Sequence, residues 1–429
     1  MHNNRRTAKL MATPNLLIHP QTRVWIGLPV LSFFALLLIT PSSAFNVGPI
    51  ILLLIALFLR VRGHPPPAPP IPLKTYVAFA GYFLFLALST LITDDSLSTI
   101  DNPSRLILML PILWLLLRYP PHLDSVWLGA SLGALNGLIF ALWQRFGLGL
   151  DRAEGFQHPI MFGDVGMLLG LLALVGATYS AHMHHPRRAW FYLLGGVAGM
   201  GVSILSGSRG GWIALPFALW TLHHYYGNFL APRLWRMLPI ALGLLAISIY
   251  LTPATGVAHR LDQALGDLHA YVHEHRADGS LGTRLELWRA ALKMTPEAGL
   301  IGMSEDQALA RLDQLITEGK IMPTLIDRSH FHNEALEHWV RHGLLGLAAL
   351  LILYLLPLYA FLRHAHAPNP QVKAAAVTGI VTITATIDFG LTQKFFGHHI
   401  GMMSFAFTVT VLWGYILHTL SKPGQSAHV

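Results

Sequence analysis

Long apolar runs separated by short polar links dominate the chain. Runs of roughly 15–22 residues fall at 24–42, 46–60, 75–93, 105–118, 127–146, 161–180, 189–206, 212–227, 235–251, 343–362, 372–391 and 400–419. About twenty helical residues cross a hydrocarbon layer about 30 Å thick. The pattern predicts an all-α polytopic membrane protein with about twelve transmembrane helices. Runs 46–60 and 105–118 are short, and 189–206 nearly fuses with 212–227. Only one long polar interval interrupts the series, at 252–331. It divides the chain into a first membrane region (1–251, about nine spans), a large loop (252–331) and a second membrane region (332–429, about three spans). Within the loop, 258–274, 283–294 and 305–318 carry helical periodicity. Leu281, Leu285, Trp288 and Leu292 mark an apolar stripe, and Thr283 with Glu286 has the spacing of a capping box. An ordered loop lying over the membrane mouth is expected.

Composition agrees. Of 429 residues, 53% are hydrophobic and only 12% charged, about half the share in soluble proteins. With no cysteine, disulfides and thiolate chemistry are excluded. The net charge of +8 does not indicate nucleic acid, because the basic residues scatter among short links. With the N-terminus inside, the inner links hold Arg60, Arg62, Lys74, Arg118, Arg187, Arg188, Arg233, Arg236, Arg363, Lys373 and Lys422, while Asp94, Asp95 and Asp101 lie outside. This satisfies the positive-inside rule and puts the large loop on the outer face. The basic start MHNNRRTAKL precedes a run too long for a cleaved leader, so a retained first span is expected. The proline-rich stretch 63–72 is a stiff spacer. His182, His184, His185, His223 and His224 are expected as solvated inner-loop residues rather than metal ligands.

The outer face is where charge changes the picture. The stretch 328–346, RSHFHNEALEHWVRHGLLG, packs many ionisable groups against the start of an apolar helix, a costly arrangement that marks a site. Other outer links supply Arg152 in DRAEGFQHP and Arg209 in SGSRGGW, and the large loop supplies Arg284 and Arg289 in TRLELWRA. Convergent arginines suit a pyrophosphate, since guanidinium groups bind phosphate oxygens in bidentate fashion and stay charged. Each also has a plainer role open to it. Arg152 could pair with Asp151 and Glu154, Arg284 could snorkel beside Trp288, Arg289 could be solvated, and Asp388 could counter an arginine or end its helix. His332 and His338 are the candidates for a general base toward a hydroxyl.

These residues resemble the O-antigen ligase family. Its signature is His, then Asn, Ser or Gln, nine residues, Gly, two residues, and Gly or similar. Here that is His332-Asn333, Gly343 and Gly346. SGSRGGW resembles the Ser-x-Ser-Arg-Gly element of the wider ligase and polymerase superfamily. TRLELWRAALKMTPEAGLIG resembles its large-loop element, with Pro296, Gly299 and Gly302. One element departs: where the family often has Asn-Pro after the fifth span, this chain has His158-Pro159.

The resemblance implies a membrane glycosyltransferase of the GT-C type in the bacterial inner membrane. It would move O-antigen polysaccharide from undecaprenyl pyrophosphate to lipid A-core at the periplasmic face. Arg209, Arg284 and His332 occupy the family's essential positions. No cofactor or metal is expected, because there is no Asp-x-Asp motif. The alternatives are an O-antigen polymerase or protein O-glycosyl ligase on the same donor, and a transporter of polyprenyl-linked sugar. A transporter is expected to carry its charges near the midplane in two related halves, whereas here they gather at one face.

Overall fold

The computed structural model describes residues 20–41, 43–63, 65–208, 210–227, 243, 247, 250–252, 257–323 and 329–421. Within these, the first membrane region contains α1 (Pro20–Leu36), α2 (Ala44–Arg62), α3 (Leu73–Ile92), α4 (Asp101–Leu116), α5 (Asp124–Gly147), α6 (Pro159–His182), α7 (Pro186–Ser206) and α8 (Ala214–Tyr226). The large loop contains α9 (Val257–His273), α10 (Ser280–Ala298) and α11 (Glu305–Thr317). The second membrane region contains α12 (Glu334–His364), α13 (Pro370–Gly390) and α14 (His399–Leu420). Among the described residues, eight helices are long and apolar enough to cross a membrane. The shorter α1, α4 and α8 coincide with three more of the expected runs. The run at 235–251 lies almost wholly outside the described residues, as does Arg209.

The most enclosed helices are α6, α13 and α14. Close approach of α6 to α7 depends on small residues: a side chain on Gly199 would strike the backbone of Gly166 and Gly170. Such contacts replace the hydrophobic drive that is absent between helices in lipid. Buried threonine hydroxyls of α13 are satisfied within that helix. Thr378, Thr382 and Thr386 donate to the carbonyls four residues back at 2.7, 2.8 and 2.8 Å. At the end of the bundle away from the large loop, cations lie over aromatic faces, Arg118 on Trp114 at 4.0 Å and Lys373 on Tyr226 at 4.8 Å.

The large loop is folded. Its three expected helices are present, and it has a core of its own from Leu287, Ala290, Ala291, Met294, Leu312, Leu315 and Phe331. Two local expectations are corrected. Thr283 does not start α10. It lies inside the helix, buried, and donates to the Ala277 carbonyl at 2.9 Å, while Glu286 accepts from the Tyr271 hydroxyl and the Met322 amide. The capping box belongs to α11, where Ser304 and Gln307 bond reciprocally. The stripe through Leu281 and Leu292 is also not the packed face: Leu292 is exposed and the neighbouring face carries the core.

The loop docks on the membrane region through a break in α12. Gly343 has φ 68° and ψ −169° inside that helix, a backbone conformation closed to side chains. A Cβ there would collide with Leu300 and Ile301, and one on Gly302 would collide with Arg341 and His342. The amides released by the break are reused: Leu344 N–H donates to Gly299 O at 3.0 Å and Leu345 N–H to Leu300 O at 3.1 Å. In return Met303 N–H donates to Val340 O at 3.1 Å. A buried amide needs such a partner, so the loop segment 299–303 acts as a backbone splint for α12.

Candidate active site

The site begins at the first turn of α12. Asn333 is its N-cap, accepting from the Leu336 amide at 3.0 Å through Oδ1. The other end of the same side chain donates to the Leu391 carbonyl at 3.1 Å. His332 precedes the cap with φ 49°, a left-handed conformation that costs a non-glycine residue about 1–2 kcal/mol. Its ring lies 4.0 Å from that of His330, and its Nδ1 meets the Gln393 Oε1 at 3.1 Å.

Segment 391–398, between α13 and α14, is strapped to that same turn. Phe396 N–H donates to Glu334 Oε2 at 2.8 Å, and Lys394 Nζ donates to Glu337 Oε1 at 2.8 Å. Burial would pull the Lys394 ammonium down, but the Glu337 carboxylate beside it holds it above its ordinary value. Gln393 is 2% exposed, and its Nε2 lies 3.0 Å from Nε2 of His398. Burial, then the nearby His330 and His158, push His398 down to about 4, so its ring is neutral at neutral pH.

Of the three candidate arginines among the described residues, two converge on these imidazoles. Arg152 Nε donates to the Ser206 carbonyl at 2.8 Å, at the C-terminal end of α7, where a cation is favoured. The loop carrying it is pinned by buried Gln144, whose Oε1 accepts from Glu154 N and Gly155 N. Arg284 approaches from α10. Burial and then Arg152 and His330, with a smaller contribution from Arg284, lower the pKa of His158. His158 also replaces the family's usual residue in local structure, because its Nδ1 accepts from Ile160 N at 3.3 Å and N-caps α6. The residues flanking Arg209 border the same place. Ser208 donates to the buried Asp164 at 2.6 Å, Gly210 packs against Thr392, and Asp388 accepts from Ala214 N at 2.7 Å to cap α8. Asp388 therefore caps the start of α8.

The other two candidates lie apart. Arg289 is exposed and pairs at 3.4 Å with Glu286, which is itself buried in the loop. His338 is buried, with Nε2 at 2.7 Å from the Tyr82 hydroxyl and Nδ1 at 2.8 Å from the Glu334 carbonyl. It lines a separate cavity of about 110 Å3 with Glu337, Arg341, His342 and Lys394. Sequence reasoning placed His330 in the singled-out stretch 328–346 without assigning it a role, and missed Gln393 and His398. The only available signal was the polar density of TQKFFGHH between two apolar runs.

Residues 194–351 match the family model described as O-antigen ligase. That segment, a little over a third of the chain, is similar to the O-antigen ligase family. The matched segment runs from within α7 through the large loop to the splinted part of α12, and so includes Arg209, Arg284, His332 and both signature glycines. An uncharacterised protein of Haemophilus influenzae is 28% identical over 88% of this chain and 94% of its own. The O-antigen ligase of Escherichia coli is 23% identical over 74% of this chain and 69% of its own. Both alignments extend well beyond the family segment.

Proposed function

We propose that the protein is an O-antigen ligase, a GT-C-type enzyme acting at the periplasmic face of the inner membrane. It transfers a glycan from undecaprenyl pyrophosphate to lipid A-core. The observation that carries this reading is the gathering of Arg152, Arg284 and the His158, His330, His332 and His398 imidazoles around one mouth of the helical bundle. The family match and the likeness to the Escherichia coli enzyme support it.

In this reading Arg152, Arg209 and Arg284 hold the pyrophosphate. An acceptor hydroxyl gives its proton to Nε2 of His332, and its oxygen bonds to the anomeric carbon. The bond from that carbon to the pyrophosphate oxygen breaks, and its electron pair leaves with the lipid diphosphate. The arginines stabilise the charge that develops on this leaving group, so no separate acid is needed. A single displacement inverts the anomeric centre. Both nitrogens of His338 are engaged by protein groups, which disfavours His338 as the base.

The test is transfer by purified protein from a lipid-linked glycan to lipid A-core, with EDTA present. Transfer that survives EDTA and is lost in His332→Ala is the expected result. Translocation of the lipid-linked glycan without transfer would instead favour a transporter. Elongation of the donor glycan would favour a polymerase, and transfer to a protein hydroxyl a protein O-glycosyl ligase.

A further inference from the structure

Gln393 belongs to no motif described above, yet its amide stands between two imidazoles. Its Oε1 faces Nδ1 of His332 at 3.1 Å and its Nε2 faces Nε2 of His398 at 3.0 Å. An amide oxygen only accepts and an amide nitrogen only donates. With the amide so placed, His332 must carry its proton on Nδ1, and His398 must present an unprotonated Nε2. The lone pair of His332 is then confined to Nε2, the nitrogen a base would use.

The amide is also held in place. Gln393 is almost wholly buried, and its segment is tied to α12 on both sides: Leu391 O accepts from Asn333, and Lys394 and Phe396 N–H bond to Glu337 and Glu334. A flipped amide would place its nitrogen against Nδ1 of His332 and its oxygen against Nε2 of His398, forcing both rings into the other tautomer. The loop thus supplies a neutral counterpart to the carboxylate that orients histidine in hydrolytic triads. A neutral amide fixes the tautomer without raising the basicity of the ring as a carboxylate would.

We infer that Gln393 is a positioning residue that sets the tautomer and direction of the His332 ring, with His398 locking the amide. The inference rests on the proposed role of His332 as base.

The experiment is the pH profile of glycan transfer by the full-length protein in detergent or nanodiscs, for wild type, Gln393→Met and Gln393→Glu. Gln393→Met should lower kcat about tenfold to a hundredfold with KM for the donor nearly unchanged, because the base is misdirected and not removed. Gln393→Glu keeps an acceptor toward Nδ1 and adds charge. It should retain more activity than Gln393→Met and move the acid limb of the profile to higher pH by about one unit.

A Gln393→Glu profile that superimposes on wild type, or a Gln393→Met variant that keeps the wild-type kcat, would overturn the inference. If Gln393→Met does not fold, the Gln393→Glu profile still decides. Absence of transfer in wild type itself would instead refute the function on which the inference rests.

Discussion

Lys394 donates to Glu337 at 2.8 Å, and the carboxylate it meets is only 3% exposed. The pair closes the gap between segment 391–398 and the first turn of α12. Removing the cation strands a buried charge, a change that costs about 3–5 kcal/mol. Lys394→Ala is therefore expected to lower the thermal midpoint markedly. Adding Glu337→Gln should recover a good part of the loss. A thermal melt of the two variants in the same detergent checks this, and equal midpoints would contradict it.

The arginines divide into two groups. Arg152→Ala and Arg284→Ala are expected to reduce transfer at least a hundredfold, in line with losing a donor to a developing anion. Arg289→Ala should stay within about twofold of wild type, because Arg289 is itself exposed and its ion pair is with Glu286 of the loop. Initial rates at saturating donor separate the two outcomes.

Gly343→Ala would put a methyl group into the backbone of Leu300 and Ile301 at a positive φ. The strain alone is about 1–3 kcal/mol, and the collision adds to it. The expected consequence is undocking of residues 299–303, seen as faster proteolysis within the large loop while the membrane helices stay intact. Normal protease resistance would show that the splint tolerates a side chain.

Acid should weaken the site in a defined window. His398 titrates near 4 when folded because it is buried beside other imidazoles, and an exposed histidine titrates near 6.5. Between those values the unfolded chain takes up a proton that the folded chain refuses, so stability falls as pH drops from about 6.5 toward 4. Thermal midpoints across that range should fall more steeply for wild type than for His398→Asn. Parallel slopes would remove His398 from the account.

Much of the fold could be read from hydropathy. Apolar runs announce membrane helices because the bilayer leaves the backbone no other way to satisfy its amides, and the loop helices followed from their period. The candidate site was legible where residues sit in recognisable elements, as with His332, Arg284 and the stretch SGSRGGW. Gln393 was not, because a glutamine in an interhelical link looks like any solvated loop residue until the chain folds it under His332. The Thr283 cap failed for a related reason: α10 starts three residues earlier, at Ser280, and tertiary burial of Glu286 overrides the local pattern. His338 shows the converse. Spacing put it on the same helix as the signature, but the face it occupies turns inward toward Tyr82.

The break at Gly343 separates α12 into a part governed by lipid and a part governed by protein. Above the break, the turn bearing Glu334, Glu337 and His338 is fixed by peptide groups and ion pairs, none of which senses hydrocarbon thickness. Swapping shorter for longer acyl chains can tilt the lower segment while the imidazole of His332 keeps its register with Gln393.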